Sequence, residues 1–233
     1  EIALKGGGIL NSARKLSSST EVELYEMAKN RIEKMIALGT GAVEIKSGYG
    51  LSVESELKIL RVIKRLKSEM PIEIKSTFLG AHAFPAEFKE NHKGYIDLLI
   101  NEMLPRIAKE NLADYIDVFC ERNYFSVDQM NQILTAGKQY GLVPKVHVNQ
   151  FSSMGGIKAA IEHGALSVDH LEELSDEDVL ALKNGGCMAT FLPGCSHFLG
   201  IPFGNARRLI DENIPFALAS DFNPGSTPCY NLL

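Results

Sequence analysis

Strand-sized apolar runs and capped amphipathic helices take turns along this chain almost without exception. A chain with that alternation buries its strands in a parallel sheet covered by helices. The runs that read as strands are 42–46, 72–79, 115–120, 142–148, 165–169, 187–192 and 214–220. The helix signals between them are specific. Thr20 with Glu23 makes a capping box before a helix stopped by Gly39, and Ser52 caps a long amphipathic helix that Pro71 closes. A helix over 94–109 is expected to kink near Pro105, and Ser126 with Gln129 caps another that Gly141 terminates. Shorter helices are expected at 157–162, 175–184 and 205–212. The opening Gly6-Gly7-Gly8 reads as a turn. It has neither the spacing nor the preceding strand of a dinucleotide fingerprint, which argues against an open doubly wound sheet.

Seven strands fit an α/β fold of the (β/α)8 TIM type, which has eight, with strands 2–8 present. Residues 1–233 are then expected to form a single catalytic barrel domain. The chain begins at Glu1 rather than Met and stops just after a strand, so it reads as a piece of a longer protein.

Composition narrows the partners. A formal net charge of -5 leaves no basic stripe to neutralise phosphates, so nucleic acid is not expected as a partner. The apolar runs are strand-length and broken by charge, so no membrane span is expected. Cys120, Cys187, Cys195 and Cys229 show no zinc-ribbon or Cys-x-x-Cys spacing and read as reduced thiols of a cytoplasmic protein. Cys120 and Cys187 fall in apolar strand contexts and are expected in the core.

Chemistry concentrates where strands end. Phe216-Ala-Leu-Ala-Ser-Asp221 is a buried-looking strand ending in a carboxylate and then a polar loop containing Asn223, Gly225 and Ser226. Lys145-Val-His147 and Ser167-Val-Asp169-His170 end in the same manner. Parallel α/β enzymes place their sites at such carboxyl-terminal strand ends. A lone histidine there is more often a satisfied structural residue. Two histidines and an aspartate along one sheet edge make the beginnings of a metal-assisted hydrolase site. Counting an absent first strand, His147 ends the fifth, His170 the sixth and Asp221 the eighth.

That layout resembles the amidohydrolase superfamily, and within it the imidazolonepropionase family. The segments that carry the resemblance are Gly6-Gly-Gly-Ile9, Lys46-Ser-Gly-Tyr49-Gly-Leu51, Thr77-Phe-Leu-Gly-Ala-His82-Ala-Phe-Pro85 and Asp117-Val-Phe-Cys-Glu121. Lys145-Val-His147 with Gln150, Asp169-His170-Leu-Glu172 and Ser220-Asp221-Phe-Asn223-Pro-Gly225 complete it. The family's first strand carries a His-x-His pair of metal ligands followed by an arginine for the substrate carboxylate. Neither is in this chain, and the family's small β-domain is absent too.

The resemblance implies hydrolysis of the ring amide of 4-imidazolone-5-propanoate to N-formimidoyl-L-glutamate in histidine degradation, with this length of chain inactive alone. It implies one divalent metal, zinc or iron, with His147 and Asp221 as ligands. Asp221 would also take the proton of the attacking water, and His170 fits either a role supporting the metal ligands from behind or one in proton transfer. Tyr49, His82, Gln150, Asn223, Gly225 and Ser226 correspond to substrate-contacting positions. Tyr49 has the simpler alternative of capping the barrel mouth, and Gln150 that of a surface residue. His92 and His163 read as solvated, His197 faces the mouth without a role, and Glu121 is given no direct part. The acids Glu172, Glu173 and Asp176 to Asp178 read as a helix start favoured by the macrodipole. The partner expected is a small-molecule substrate, with a homodimeric parent as a further expectation. The competing readings are a cytosine- or guanine-type deaminase of the same superfamily and a non-catalytic scaffold.

Overall fold

The computed structural model describes residues 9–231. The expected glycine turn at Gly6 to Gly8 lies outside them. The chain divides into two compact units, Glu1–Ile116 and Asp117–Leu233.

In the first unit, α1 (Ile9–Ser18) and α2 (Glu21–Ala37) precede β1 (Ala42–Lys46), α3 (Val53–Glu69) and β2 (Glu73–Ala81). A short turn at Ala86–Phe88 leads to α4 (His92–Leu98), a wide π turn at Leu99–Met103, α5 (Leu104–Glu110) and β3 (Tyr115–Cys120), the strand at which the units divide. Strand order here is β1-β2-β3, and β1 runs parallel to β2 with Ala42 opposite Glu73 and Lys46 opposite Thr77. Thr20 forms its capping box with Glu23, as the residues required. The bend expected near Pro105 takes the form of the wide turn just ahead of it. Proline offers no N–H to a helical carbonyl, and a π turn absorbs the missing bond. Helix α1 was not foreseen. The core is built by the apolar stripe of α3, Leu57, Leu60, Ile63 and Leu66, each at most 1 % exposed, with Ile74 and Phe78 of β2. Each such side chain contributes about 1.5–3 kcal/mol by leaving water.

The second unit continues with α6 (Val127–Gln139), β4 (Val143–Val148), α7 (Gly156–Glu162), β5 (Ser167–His170) and α8 (Asp176–Gly185). It closes with β6 (Met188–Phe191), α9 (Pro193–Leu199), α10 (Ala206–Asp211) and β7 (Phe216–Leu218). Its strand order is β3-β4-β5-β6-β7, with parallel pairing from β4 through β7. Register aligns His147 with Asp169, Thr190 and Ala217, and Val148 with His170, Phe191 and Leu218. Val146 and Val168 are fully buried on the side opposite His147 and Asp169. Among the described residues no helix is long and apolar enough to cross a membrane.

Candidate metal centre

The second unit gathers His147, His170 and Asp221, whose ligand-capable atoms all lie within 4.8 Å of one another. Each arrives by a different route. His147 follows the ordinary pleat of β4 and is 7 % exposed. Its neighbour in β3, Asp117, holds it twice: one carboxylate oxygen accepts the His147 backbone N–H at 3.2 Å, and Oδ2 stands 2.9 Å from Nδ1. Both side chains are buried, Asp117 completely. A carboxylate only accepts, so a hydrogen on Nδ1 is the arrangement this approach favours, and it would leave the lone pair of a neutral ring on Nε2. This carboxylate–imidazole pairing is the usual support of a metal-ligating histidine.

His170 arrives against the pleat. Alternation in β5 places it on the side of Val168, away from Asp169. Its φ is +94°, followed by +64° at Leu171, and that reversal turns the ring to within 5.4 Å of the His147 ring, centroid to centroid. A left-handed backbone at a histidine costs on the order of 1–3 kcal/mol and marks sites held by their surroundings. Beneath it, His170 Nδ1 and Glu172 Oε2 face each other at 3.6 Å, both buried and neither with a hydrogen-bond partner. Glu172 therefore belongs to the site rather than to a helix start. Its other oxygen accepts the Ser196 hydroxyl at 2.8 Å.

Asp221 follows β7 on a half-buried loop, with φ +50°. Its Oδ2 receives long hydroxyl bonds from Ser226 at 3.3 Å and Thr227 at 3.5 Å, and its carboxylate is also bonded to the Cys195 thiol. Asn223 builds the loop around it. Its Nδ2 donates to the Asp221 carbonyl at 2.7 Å and to Ser226 Oγ at 2.8 Å, while its Oδ1 accepts the N–H of Gly225 at 2.8 Å and of Ser226 at 2.9 Å. Gln150 is buried and donates to Cys195 Sγ at 3.3 Å, so it is no surface residue. Burial and the nearby Asp221 carboxylate push the Cys195 thiol up to about 12.

Two further groups share these residues: Asp117, His147 and Asp169, and His170, Glu172 and Cys195, each with ligand-capable atoms within 4.8 Å. Asp169 is buried, takes the Ser167 hydroxyl at 2.8 Å and stands 3.8 Å from Lys145 Nζ. Sequence reasoning gave Asp117, Asp169 and Cys195 no role. Asp117 carried a signal, an acid inside the otherwise largely apolar strand Tyr115 to Cys120. An imidazole pair with one carboxylate is a donor set that suits zinc or iron. The Asp117–His147 pairing, which favours Nε2 as the donor nitrogen, fits such an ion.

Tyr49 and His82 lie in the first unit. Their rings meet edge to face with centroids 5.1 Å apart, and His82 Nδ1 stands 3.0 Å from the Gly48 carbonyl. Both are half-buried. Of the other histidines, His92 is exposed and stacks on Phe84, His163 Nε2 lies 3.0 Å from Asn131 Oδ1, and His197 is exposed on α9. Glu121, at the end of β3, is buried and accepts the backbone N–H groups of Phe151 at 2.9 Å and Ser152 at 3.2 Å. It holds the loop that follows Gln150.

Solved structures agree with this fold at low sequence identity. Adenine deaminase from Arthrobacter aurescens matches 94% of this chain and 69% of its own, with TM-score 0.69 at 13% identity. Guanine deaminase from C. acetobutylicum, solved with guanine bound, matches 93% and 54% with TM-score 0.67 at 17% identity. An atrazine chlorohydrolase from Arthrobacter aurescens, complexed with zinc and atraton, matches 91% and 51% with TM-score 0.69 at 13% identity. The fold is the α/β fold of the amidohydrolase barrels.

No family model matches the chain. Sequence relatives are far nearer than these structures, and they are imidazolonepropionases, similar to this chain over its entire length. That of Flavobacterium psychrophilum is 58% identical over 232 residues, and that of Flavobacterium johnsoniae 60%. The relative from Geobacillus kaustophilus is 45% identical. In each, 100% of this chain is matched, and the chain spans only 55–56% of the relative's length.

Proposed function

We propose that the protein is a metal-dependent hydrolase that opens the ring amide of 4-imidazolone-5-propanoate to give N-formimidoyl-L-glutamate in histidine degradation. The observation that carries this is the meeting of His147, His170 and Asp221 in a chain 58% identical to an imidazolonepropionase. His147, through Nε2, and Asp221 would hold one divalent ion, zinc or iron. Such an ion, when bound, lowers the pKa of water from about 16 towards 7 and polarises a carbonyl.

The chain's own residues do the rest. Asp117 keeps the His147 hydrogen on Nδ1. Asp221 takes one proton of the attacking water as its oxygen adds to the ring carbonyl carbon. The C–N bond then breaks, and His170, within reach of Asp221, passes a proton to the departing nitrogen. Water is consumed, and the ring opens without an oxidant. By resemblance, Tyr49 and His82 of the first unit, and Gln150, Asn223, Gly225 and Ser226 of the second, correspond to substrate-contacting positions.

The test is turnover by the full-length, metal-analysed protein on 4-imidazolone-5-propanoate beside guanine, adenine and cytosine. Ring opening with one bound metal is expected. Ammonia release from a nucleobase with no ring opening would replace this reading with a deaminase, and a metal-free protein that turns over nothing would leave a scaffold.

A further inference from the structure

The loop that carries Tyr49 is organised by a carboxylate with no part in the reaction just described. Glu56 lies in the first turn of α3 and is 0 % exposed. Its Oε1 accepts the backbone N–H of Gly50 at 2.6 Å and of Leu51 at 3.0 Å, and its Oε2 accepts that of Gly48 at 3.0 Å. The Ser47 hydroxyl donates a fourth hydrogen bond, and Ser47 Oγ in turn accepts the N–H of Leu79 in β2 at 3.0 Å. Residues 47–51 thus wrap around one carboxylate at a helix N-terminus, where a negative charge is favoured.

The wrap needs its glycines. Gly48 has φ +103°, and a Cβ there would lie 2.7 Å from the Leu79 carbonyl oxygen. A Cβ on Gly50 would lie 2.5 Å from the Glu56 backbone nitrogen. Burial pushes the Glu56 carboxyl up, and the bonds from Ser47, Leu51, Gly50 and Gly48 oppose it. Four donors converging on two oxygens have no place for a carboxyl hydrogen, so the geometry suits the anion.

The consequence passes to the other side of the loop. Gly48, whose N–H is held by Glu56, presents the carbonyl of its next peptide to His82 Nδ1 at 3.0 Å. A carbonyl only accepts, so that nitrogen carries a hydrogen and Nε2 is the acceptor of the neutral ring. The Tyr49 ring is seated at 89° to the same imidazole.

We propose that Glu56 is a positioning residue for substrate recognition: by holding the backbone of Gly48 it fixes His82 as the Nδ1–H tautomer and seats Tyr49 against it. The proposal rests on the reading of Tyr49 and His82 as substrate-contacting. Glu56→Gln removes the charge and turns an NH2 group towards converging N–H donors, so the Gly48 peptide loses its anchor.

Two measurements on the full-length, metal-loaded protein test this. The first is independent of turnover: 15N NMR of the ring-labelled His82 imidazole. The wild type should carry its hydrogen on Nδ1, and Glu56→Gln should show both tautomers. A wild-type hydrogen on Nε2, or an unchanged tautomer in folded Glu56→Gln, overturns the proposal. The second is coupling. Glu56→Gln should raise KM by about 10-fold with metal content intact and a smaller change in kcat, as loss of orientation at a distance does. In a Tyr49→Phe, His82→Gln background the same substitution should change KM less than about twofold, because the groups it acts through are gone. Equal factors in both backgrounds would mean a merely structural carboxylate and overturn the proposal. Where turnover is too slow, the factor is read on calorimetric affinity for imidazole-4-propanoate. If Glu56→Gln fails to fold, Glu56→Asp, which keeps the charge one methylene short, is put through both measurements. A wild type that does not turn over imidazolone propionate sinks the functional reading and leaves the tautomer measurement to decide this one.

Discussion

The loops after β1 and β7 look alike in sequence, each short, polar and glycine-containing, yet they are held in opposite ways. The Tyr49 loop is held from outside, by a buried carboxylate of α3 and by a hydroxyl bonded to β2. The Asp221 loop is tied chiefly to itself, with all four bonds of the Asn223 amide spent within residues 221–226 and a link outward to the Cys195 thiol of α9. A loop tied to the core cannot change without disturbing the core. A self-tied loop can change its chemistry while the fold around it stands.

The sharpest way to break this contrast is Asp221→Asn in the full-length protein. It keeps the size and the loop bonds to its backbone, but removes the charge and the proton acceptor. We expect kcat/KM to fall by more than the 10²–10⁴-fold usual for a general base alone, with weaker metal binding and thermal unfolding scarcely moved. Retained activity would show that the cluster is not the site. Gly50→Ala should come next, because its Cβ would press on the Glu56 backbone at 2.5 Å. Overpacking of that kind costs about 1–3 kcal/mol, or about 2–4 °C of Tm for each kcal/mol in a protein of this size. An unchanged Tm would show that the loop gives way more easily than its contacts suggest. Gly225→Ala is the small end of the series. The nearest heavy atom to its Cβ would be Asn223 Oδ1 at 3.4 Å, and the residue is exposed. Unfolding should move by no more than about 0.5 kcal/mol, and a larger loss in the calorimeter would mean that the self-tied loop is also bound to the core.

Much of this was legible in the residues. The capping boxes at Thr20 and Ser126 form as their spacing requires, and strand limits fall within a few residues of the apolar runs. His147, His170 and Asp221 could be picked out because each stands where an apolar run stops. The misses have physical causes. Helix α9 opens with Pro193-Gly194, a pair that reads as a turn, although proline suits the first turn of a helix. Helix α1 is short and rich in serine, and it follows directly on a glycine run, so its periodic apolar positions were passed over. Glu56 looked like any acid near a helix start, since what buries it is the path of residues 47–51. Glu172 was misread because its partner, His170, faces it only after the backbone reverses.

That reversal sets stability and chemistry against each other at a single residue. Glycine would adopt the backbone of position 170 without penalty and offers no imidazole, whereas histidine supplies the ring and bears the cost at every folding event. Any search for sturdier variants of this protein will be drawn to that position, and if His170 has the proposed role, what such a variant gains in heat resistance it should surrender in turnover.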